Sequence, residues 1–149
     1  MEESEYKSTY NEIARIRCEF EKALTNNKAR CAYARHFWLA DREGYACKAR
    51  ESSARCREFL EKLRENSRFA LKLQQTGGRL PHNMEIRVQA GGLLGISSAL
   101  GKGHEERIND IHDLLERANA EFGGLDRLPY DCIVQSISAF RARPRRNRN

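Results

Sequence analysis

The chain has no run approaching the roughly eighteen consecutive apolar residues of a membrane-spanning helix, so no such helix is expected. Its opening, Met1-Glu2-Glu3-Ser4-Glu5, is acidic and has no apolar stretch behind it, so no secretory signal is expected either. Proline is scarce, with three in 149 residues, and between Lys28 and Gln75 there is none. No two of the five cysteines (Cys18, Cys31, Cys47, Cys56 and Cys132) have C-x-x-C spacing. Cys31, His36, Cys47 and Cys56 are separated by four, ten and eight residues, which is not the short-loop spacing that gathers ligands round a tetrahedral ion. The odd number and the spacing therefore predict free thiols in a reducing compartment, packed as small hydrophobes on helix faces, with no metal and no cofactor.

Motifs of catalysis are missing as well. Gly95 to Lys102 has five residues between its glycines and is followed by Gly103, which does not fit a phosphate-binding loop. His104-Glu105-Glu106 has its next histidine at 112, so there is no H-E-x-x-H, and no Glu-x-x-His pair marks a di-iron bundle. Cys31 and His36, five apart on a helix, would diverge by about 140° and could not act as a dyad. No catalytic residue is assigned, and a non-enzymatic protein is expected.

What is present is helical in character. The composition is 40% hydrophobic and 32% charged, a soluble and folded balance for one domain. Tyr6, Tyr10, Ile13, Ile16, Phe20 and Leu24 step by three and four along one helix face, and Asn27 suits the N-cap of the helix after it. From Lys28 to about Gln75 strong helix formers dominate, with Gly44 the one interruption. Ala46, Ala49, Ser53, Cys56, Leu60, Leu63, Ser67 and Ala70 form a heptad seam of small residues suited to a close partner helix. One long helix, kinked at Gly44, is favoured over two helices at 28–43 and 45–75.

Thr76-Gly77-Gly78 stops this helix. Residues 82–101 alternate between apolar and polar at first but offer no second strand to pair with, so they are read as a helix weakened by Gly91, Gly92 and Gly95. A helix over 104–122 ends at Gly123-Gly124, and Pro129 opens a last one. The expected fold is all-α, a helical bundle over residues 1–140 built around the long helix, with a disordered basic tail at 141–149.

Charge is uneven. The net is +6, yet residues 28–75 hold twelve bases against six acids, and 105–126 hold seven acids against two bases. On a helix, Lys28, Arg35 and Arg42 would form one stripe, Arg50 and Arg57 a second, and Lys48 and Arg55 a third, each able to follow a phosphate backbone. Pairs such as Glu51–Arg55 and Glu58–Lys62 would serve equally well as ordinary solvated helix faces. Arg141, Arg143, Arg145 and Arg146, with Arg148, make the tail a bidentate phosphate binder. Tyr33, Phe37 and Trp38, interleaved with Arg35 and His36, suit either stacking on unpaired bases or plain packing.

These features predict nucleic-acid binding through phosphates, with RNA slightly favoured over DNA because no helix-turn-helix spacing is present. The alternative is a helical assembly protein that uses the small-residue seam and Trp38 to form a homo-oligomer or to hold a protein partner. No membrane association is expected. The location expected is the cytoplasm, or the nucleus in a cell that has one.

Overall fold

The computed structural model describes residues 1–72, 80–103 and 105–141. The elements run α1 (Glu3–Ile13), α2 (Glu21–Thr25), β1 (Ala34–Leu39), β2 (Arg42–Cys47), α3 (Arg50–Ser67), α4 (His82–Ala99), α5 (Ile111–Phe122), a 3-10 turn (Leu125–Arg127) and α6 (Tyr130–Ala139). The expected all-α bundle is therefore wrong: an antiparallel hairpin stands where the first half of the long helix was predicted.

The reason lies in local pairing. Ala40 and Asp41 both carry positive φ (49° and 66°), as the central residues of a type I′ turn do, and such a turn matches the twist of two paired strands. The register then sets Phe37 opposite Gly44 and Trp38 opposite Glu43. A Cβ on Gly44 would lie 2.4 Å from the Phe37 ring, so this glycine makes room for an aromatic across the sheet rather than kinking a helix. The stripe Lys28, Arg35, Arg42 is lost with the helix: Lys28 is in a loop, Arg35 on β1 and Arg42 on β2.

The predicted helix over 5–24 is likewise broken. Ile16 to Cys18 runs antiparallel to β2, with Cys18 N–H donating to the Tyr45 carbonyl (3.2 Å) and Cys47 N–H to that of Ile16 (2.8 Å). Asn27 caps no helix; it has φ of 59° in the turn after α2. The predicted helix over 104–122 begins only at Ile111, capped by Asp110, whose carboxylate accepts from His112 N–H (3.2 Å). Ile108 before it pairs with Ala29.

The other expectations fare better. Residues 82–99 form a helix, and it is the centre of the molecule, buried along nearly its whole length. A helix buried on every side shows no amphipathic period, which explains its ambiguous pattern. Gly123 ends α5 in the left-handed conformation (φ 78°), and Pro129 directly precedes α6. In the seam, Ser53, Leu60, Leu63 and Ser67 are buried on α3, while Ala46 lies in β2 and Ala70 is exposed beyond the helix. This seam faces the chain's own core of Phe20, Phe59, Leu93, Ile96, Leu115, Ile133 and Ile137, so it offers no surface to a second copy. The predicted helix stop at 76–78 and the disorder predicted for 142–149 lie outside the described residues.

Two features fix the core. The first is close approach of α4 and α6: a Cβ on Gly91 would stand 2.8 Å from the Ile137 Cα, and one on Gly95 would stand 3.0 Å from the Ile133 Cα. Both near atoms are backbone and cannot swing aside. The second is a buried polar chain. The Glu85 carboxylate, 2% exposed, accepts from Arg64 Nε (2.6 Å), Gln89 Nε2 (3.0 Å) and Leu80 N–H (3.3 Å). Gln89 Oε1 in turn accepts from Ala23 N–H (3.1 Å), tying α2 to α4. Burial pushes the Glu85 carboxyl upward, but the Arg64 and Gln89 hydrogen bonds and the Arg64 charge outweigh it and hold the group below its ordinary value.

Gly91→Ala should lose about 1–3 kcal/mol by overpacking, although alanine is the better helix former, and urea unfolding will measure it. A stabilised variant would show that α6 can move away. Glu85→Gln should cost about 2 kcal/mol at neutral pH, because the half-buried Arg64 is left without its counterion. A carboxyl with a lowered folded pKa contributes its stability above the unfolded carboxyl range and loses it as pH falls through the folded value. The gap between wild type and Glu85→Gln should therefore close on acidification, as read from unfolding midpoints across a pH series.

Candidate functional site

The hairpin has two unlike faces. On one, Phe37 and Leu39 pack with Ala46 against Tyr10 and Ala14. Tyr10 meets the Phe37 ring edge-on at 5.3 Å, and its hydroxyl donates to Glu21, which also accepts the Tyr45 N–H (3.1 Å). On the other face, which carries alternate residues, Trp38, His36 and Tyr45 form a row. The His36 ring lies 5.6 Å from Trp38 and 4.8 Å from Tyr45, and its Nε2 is 2.8 Å from a Glu43 oxygen. Trp38 is 64% exposed, an uncommon outlay of apolar surface for a side chain that could have packed.

The cations singled out from the sequence fall into three groups. Several are neutralised within the fold. Arg42 makes two hydrogen bonds to the Glu3 carboxylate (3.3 and 3.1 Å) and covers the Tyr6 ring at 4.4 Å, and Arg57 pairs with Glu19 (3.1 Å). Others are occupied without an ion pair. Arg35 donates to the Ile13 carbonyl (2.6 Å), Arg55 lies on His112 Nδ1 and carbonyl (3.2 and 3.4 Å), and Lys28 sits 5.9 Å over the Phe140 ring. Lys48 and Arg50 remain: they are exposed, follow directly on β2, and have no side-chain partner among the described residues. Arg141 is exposed, while Arg143, Arg145 and Arg146 lie outside the described residues. Arg30, which the sequence argument passed over, is exposed, and its charge reaches Tyr45. The stripes Arg50–Arg57 and Lys48–Arg55 are thus broken into single residues. Their i,i+7 spacing was real only where α3 exists, and there one member of each is already engaged.

Beneath the hairpin lies a second feature. Cys18, Cys31, Cys47 and Cys56 line one small cavity of about 20 Å³ together with Ser52 and Ser53. Only Cys56 is on a helix, which corrects the expectation of thiols on helix faces. Cys18 is in the segment paired with β2, Cys47 ends β2, and Cys31 precedes β1. Burial pushes the Cys18 and Cys31 thiols upward and that of Cys56 to about 12, so all three stay protonated at neutral pH. The Ala49 N–H points to Cys47 Sγ at 3.5 Å. Among the described residues no group of three or more His, Cys, Asp or Glu side chains could hold a metal ion. Cys132 lies apart, exposed on α6.

Nearby, Ser52 Oγ is 2.7 Å from His112 Nδ1, Tyr33 meets the His112 ring edge-on at 4.4 Å, and Glu116 lies 3.6 Å from Nε2. The Ser52 contact, with those of Arg55, joins α5 to α3. No known protein family, curated protein or solved structure matches the chain. No helix among the described residues is long and apolar enough to cross a membrane.

Truncating the two neighbouring aromatics of β1 separates the roles of its faces. Trp38→Ala should leave stability within about 0.5 kcal/mol of wild type, whereas Phe37→Ala, which empties the contact with Tyr10 and Gly44, should cost about 2 kcal/mol. Equal losses in thermal unfolding would mean that Trp38 is a structural residue.

Proposed function

We propose that the chain is a non-enzymatic nucleic-acid-binding protein that holds single-stranded segments on the outer face of its hairpin, with RNA favoured over DNA. The observation that carries this reading is the row Trp38, His36, Tyr45, whose first two members are exposed and whose third is half-buried, with Arg30, Lys48 and Arg50, exposed and unpaired among the described residues, beside it. Unpaired bases stack on aromatic rings whatever their sequence, at about 1–3 kcal/mol per base, while nearby cations hold the phosphates between them. RNA is favoured because its recognition centres on loops and ends whose bases are free to splay. The arginines from Arg141 onward add affinity without adding readout. A reducing intracellular compartment accompanies this reading, since all five cysteines are unpaired.

A protein partner is the second reading, and Phe69 favours it: 95% exposed just beyond α3, it is the most exposed large apolar side chain described. Homo-oligomerisation belongs with this reading, though through Phe69 or Trp38 and not through the buried seam.

Trp38 is the only tryptophan in the chain, so binding reports on itself. Titration with a single-stranded oligoribonucleotide should quench its fluorescence, with affinity falling as salt rises. Replacing Lys48 or Arg50 by Ala should reduce the salt slope by about one each, and Trp38→Ala should weaken binding about tenfold or more. Binding that leaves the tryptophan signal unchanged, or that ignores salt, rejects the proposal. A stable dimer by light scattering that Phe69→Ser dissolves would favour the second reading.

A further inference from the structure

We infer that the cleft between residues 27–30 and 107–109 receives a terminal phosphate of the bound strand; the inference rests on the reading of the hairpin as a single-strand binder. The cleft holds about 170 Å³ and is lined by Asn27, Ala29, Arg30, Arg107, Ile108 and Asn109. Its construction is local. Helix α2 ends with Asn27 in the left-handed conformation (φ 59°), where its N–H donates to the Leu24 carbonyl (3.0 Å) and that of Lys28 to Ala23 (2.9 Å). The chain then runs parallel to the segment before α5: Arg30 N–H donates to the Ile108 carbonyl (2.9 Å), and Ile108 N–H to that of Lys28 (3.0 Å). Ala29 and Ile108 are buried at the floor, and the four polar side chains round them are exposed.

This lining is cationic and carries no carboxylate. The cleft of about 200 Å³ beside Arg17, Lys22 and Arg64 also holds Glu19, Glu21 and Glu85, and that of about 480 Å³ beside Lys7, Arg17 and Arg42 also holds Glu3, Glu21 and Glu43. There the protein's own acids answer its cations. Asn27, Arg30, Arg107 and Asn109, by contrast, have no side-chain hydrogen bond or ion pair among the described residues. The acids nearest in sequence stand outside the lining. Asp110 accepts from Ala32 N–H (3.0 Å) and His112 N–H (3.2 Å), Glu105 accepts from Ser97 Oγ (2.9 Å), and Glu106 is exposed.

The chemistry favours a strand end over an internal phosphate. Two guanidiniums match a phosphomonoester, whose charge is about −1.5 to −2 at neutral pH, better than a singly charged diester. A terminal group also enters end-on and presents all its free oxygens to the two planar forks and the two amides, whereas a diester carries chain on both sides. The cleft lies toward the aromatic row. Arg30 is four residues before β1 and its charge reaches Tyr45, while the intervening Tyr33 accepts the Lys48 N–H (2.8 Å). A strand stacked along Trp38, His36 and Tyr45 therefore runs toward Arg30.

The test titrates the full chain, at fixed salt, with one short oligoribonucleotide made in three forms: with a 5′-phosphate, with a 3′-phosphate, and with hydroxyls at both ends. Trp38 fluorescence reports binding. A phosphate at one end should raise affinity about tenfold or more over the hydroxyl form. Arg30→Ala and Arg107→Ala should each remove most of that gain, and Arg107→Lys should keep only part of it, because an ammonium lacks the planar fork. Arg117→Ala, exposed on α5 outside the cleft, should keep all of it. An excess of a nucleoside 5′-monophosphate should erase the gain, and the bare nucleoside should not. Equal affinity for the three forms, with quenching intact, overturns the inference and leaves the nucleic-acid reading standing. Quenching by none of them rejects that reading and this inference with it. A gain that survives both alanine variants, or inorganic phosphate that shifts the NMR signals of the cleft while the strand's own phosphate adds nothing, also overturns it.

Discussion

Two backbone hydrogen bonds, Cys18 N–H to Tyr45 and Cys47 N–H to Ile16, organise the N-terminal third of the molecule. They add an extended segment to the edge of β2, and three consequences follow. The chain can no longer continue as a helix from α1 into α2. Helix α1 is laid over the inner face of the hairpin, where Tyr10 reaches both Phe37 and Glu21. Cys18, opposite Tyr45, and Cys47, opposite Ile16, come to line one cavity. On the outer hairpin face Ala34 and Tyr45 pack against the main core, while His36 and Trp38 stay exposed, since α1 lies on the opposite side.

The helical two-thirds of the fold rest on a different constraint, the closeness of α4 to α6. Gly91 and Gly95 set that distance, and their cost in helix propensity, about 1 kcal/mol each relative to alanine, is offset by burial of Ile133 and Ile137 against them. The buried chain Arg64–Glu85–Gln89–Ala23 then joins this core to α2. It is the polar route by which the core fixes α2, because a carboxylate and an amide buried together accept few alternative geometries.

Electrostatics divides the cations by tertiary context. A surplus of positive charge in residues 28–57 is plain in the sequence, yet Arg42, Arg57 and Arg55 are drawn to Glu3, Glu19 and His112, which lie far away in the chain. The two exposed ion pairs add little stability, but all three contacts take their arginine out of any common stripe. What remains is local: Arg30, Lys48 and Arg50 close to the hairpin. The nucleic-acid reading therefore passes from a charged rod to an aromatic face with a few free cations, a change from phosphate tracking to base stacking.

The helix over 82–99, the stop at Gly123, the start of α6 after Pro129 and the buried face of α3 could all be read from the residues, because each depends on spacing within one turn or on a glycine or proline that acts locally. The hairpin could not. Its turn, Ala40-Asp41, lacks the Asn-Gly signature, and residues 34–47 contain no β-branched side chain to contradict a helix. That four cysteines line one cavity was equally hidden, since separations along a chain limit where side chains can meet only when the loops between them are short. Local propensity and punctuation determined the helices of the second half. Strand pairing decided the hairpin, between residues three to thirteen apart, and pairing of residues 16–18 with β2 over about thirty residues decided the thiol cavity; contacts more distant still decided which cations stay free, because all of these gain their energy only after the chain has closed on itself.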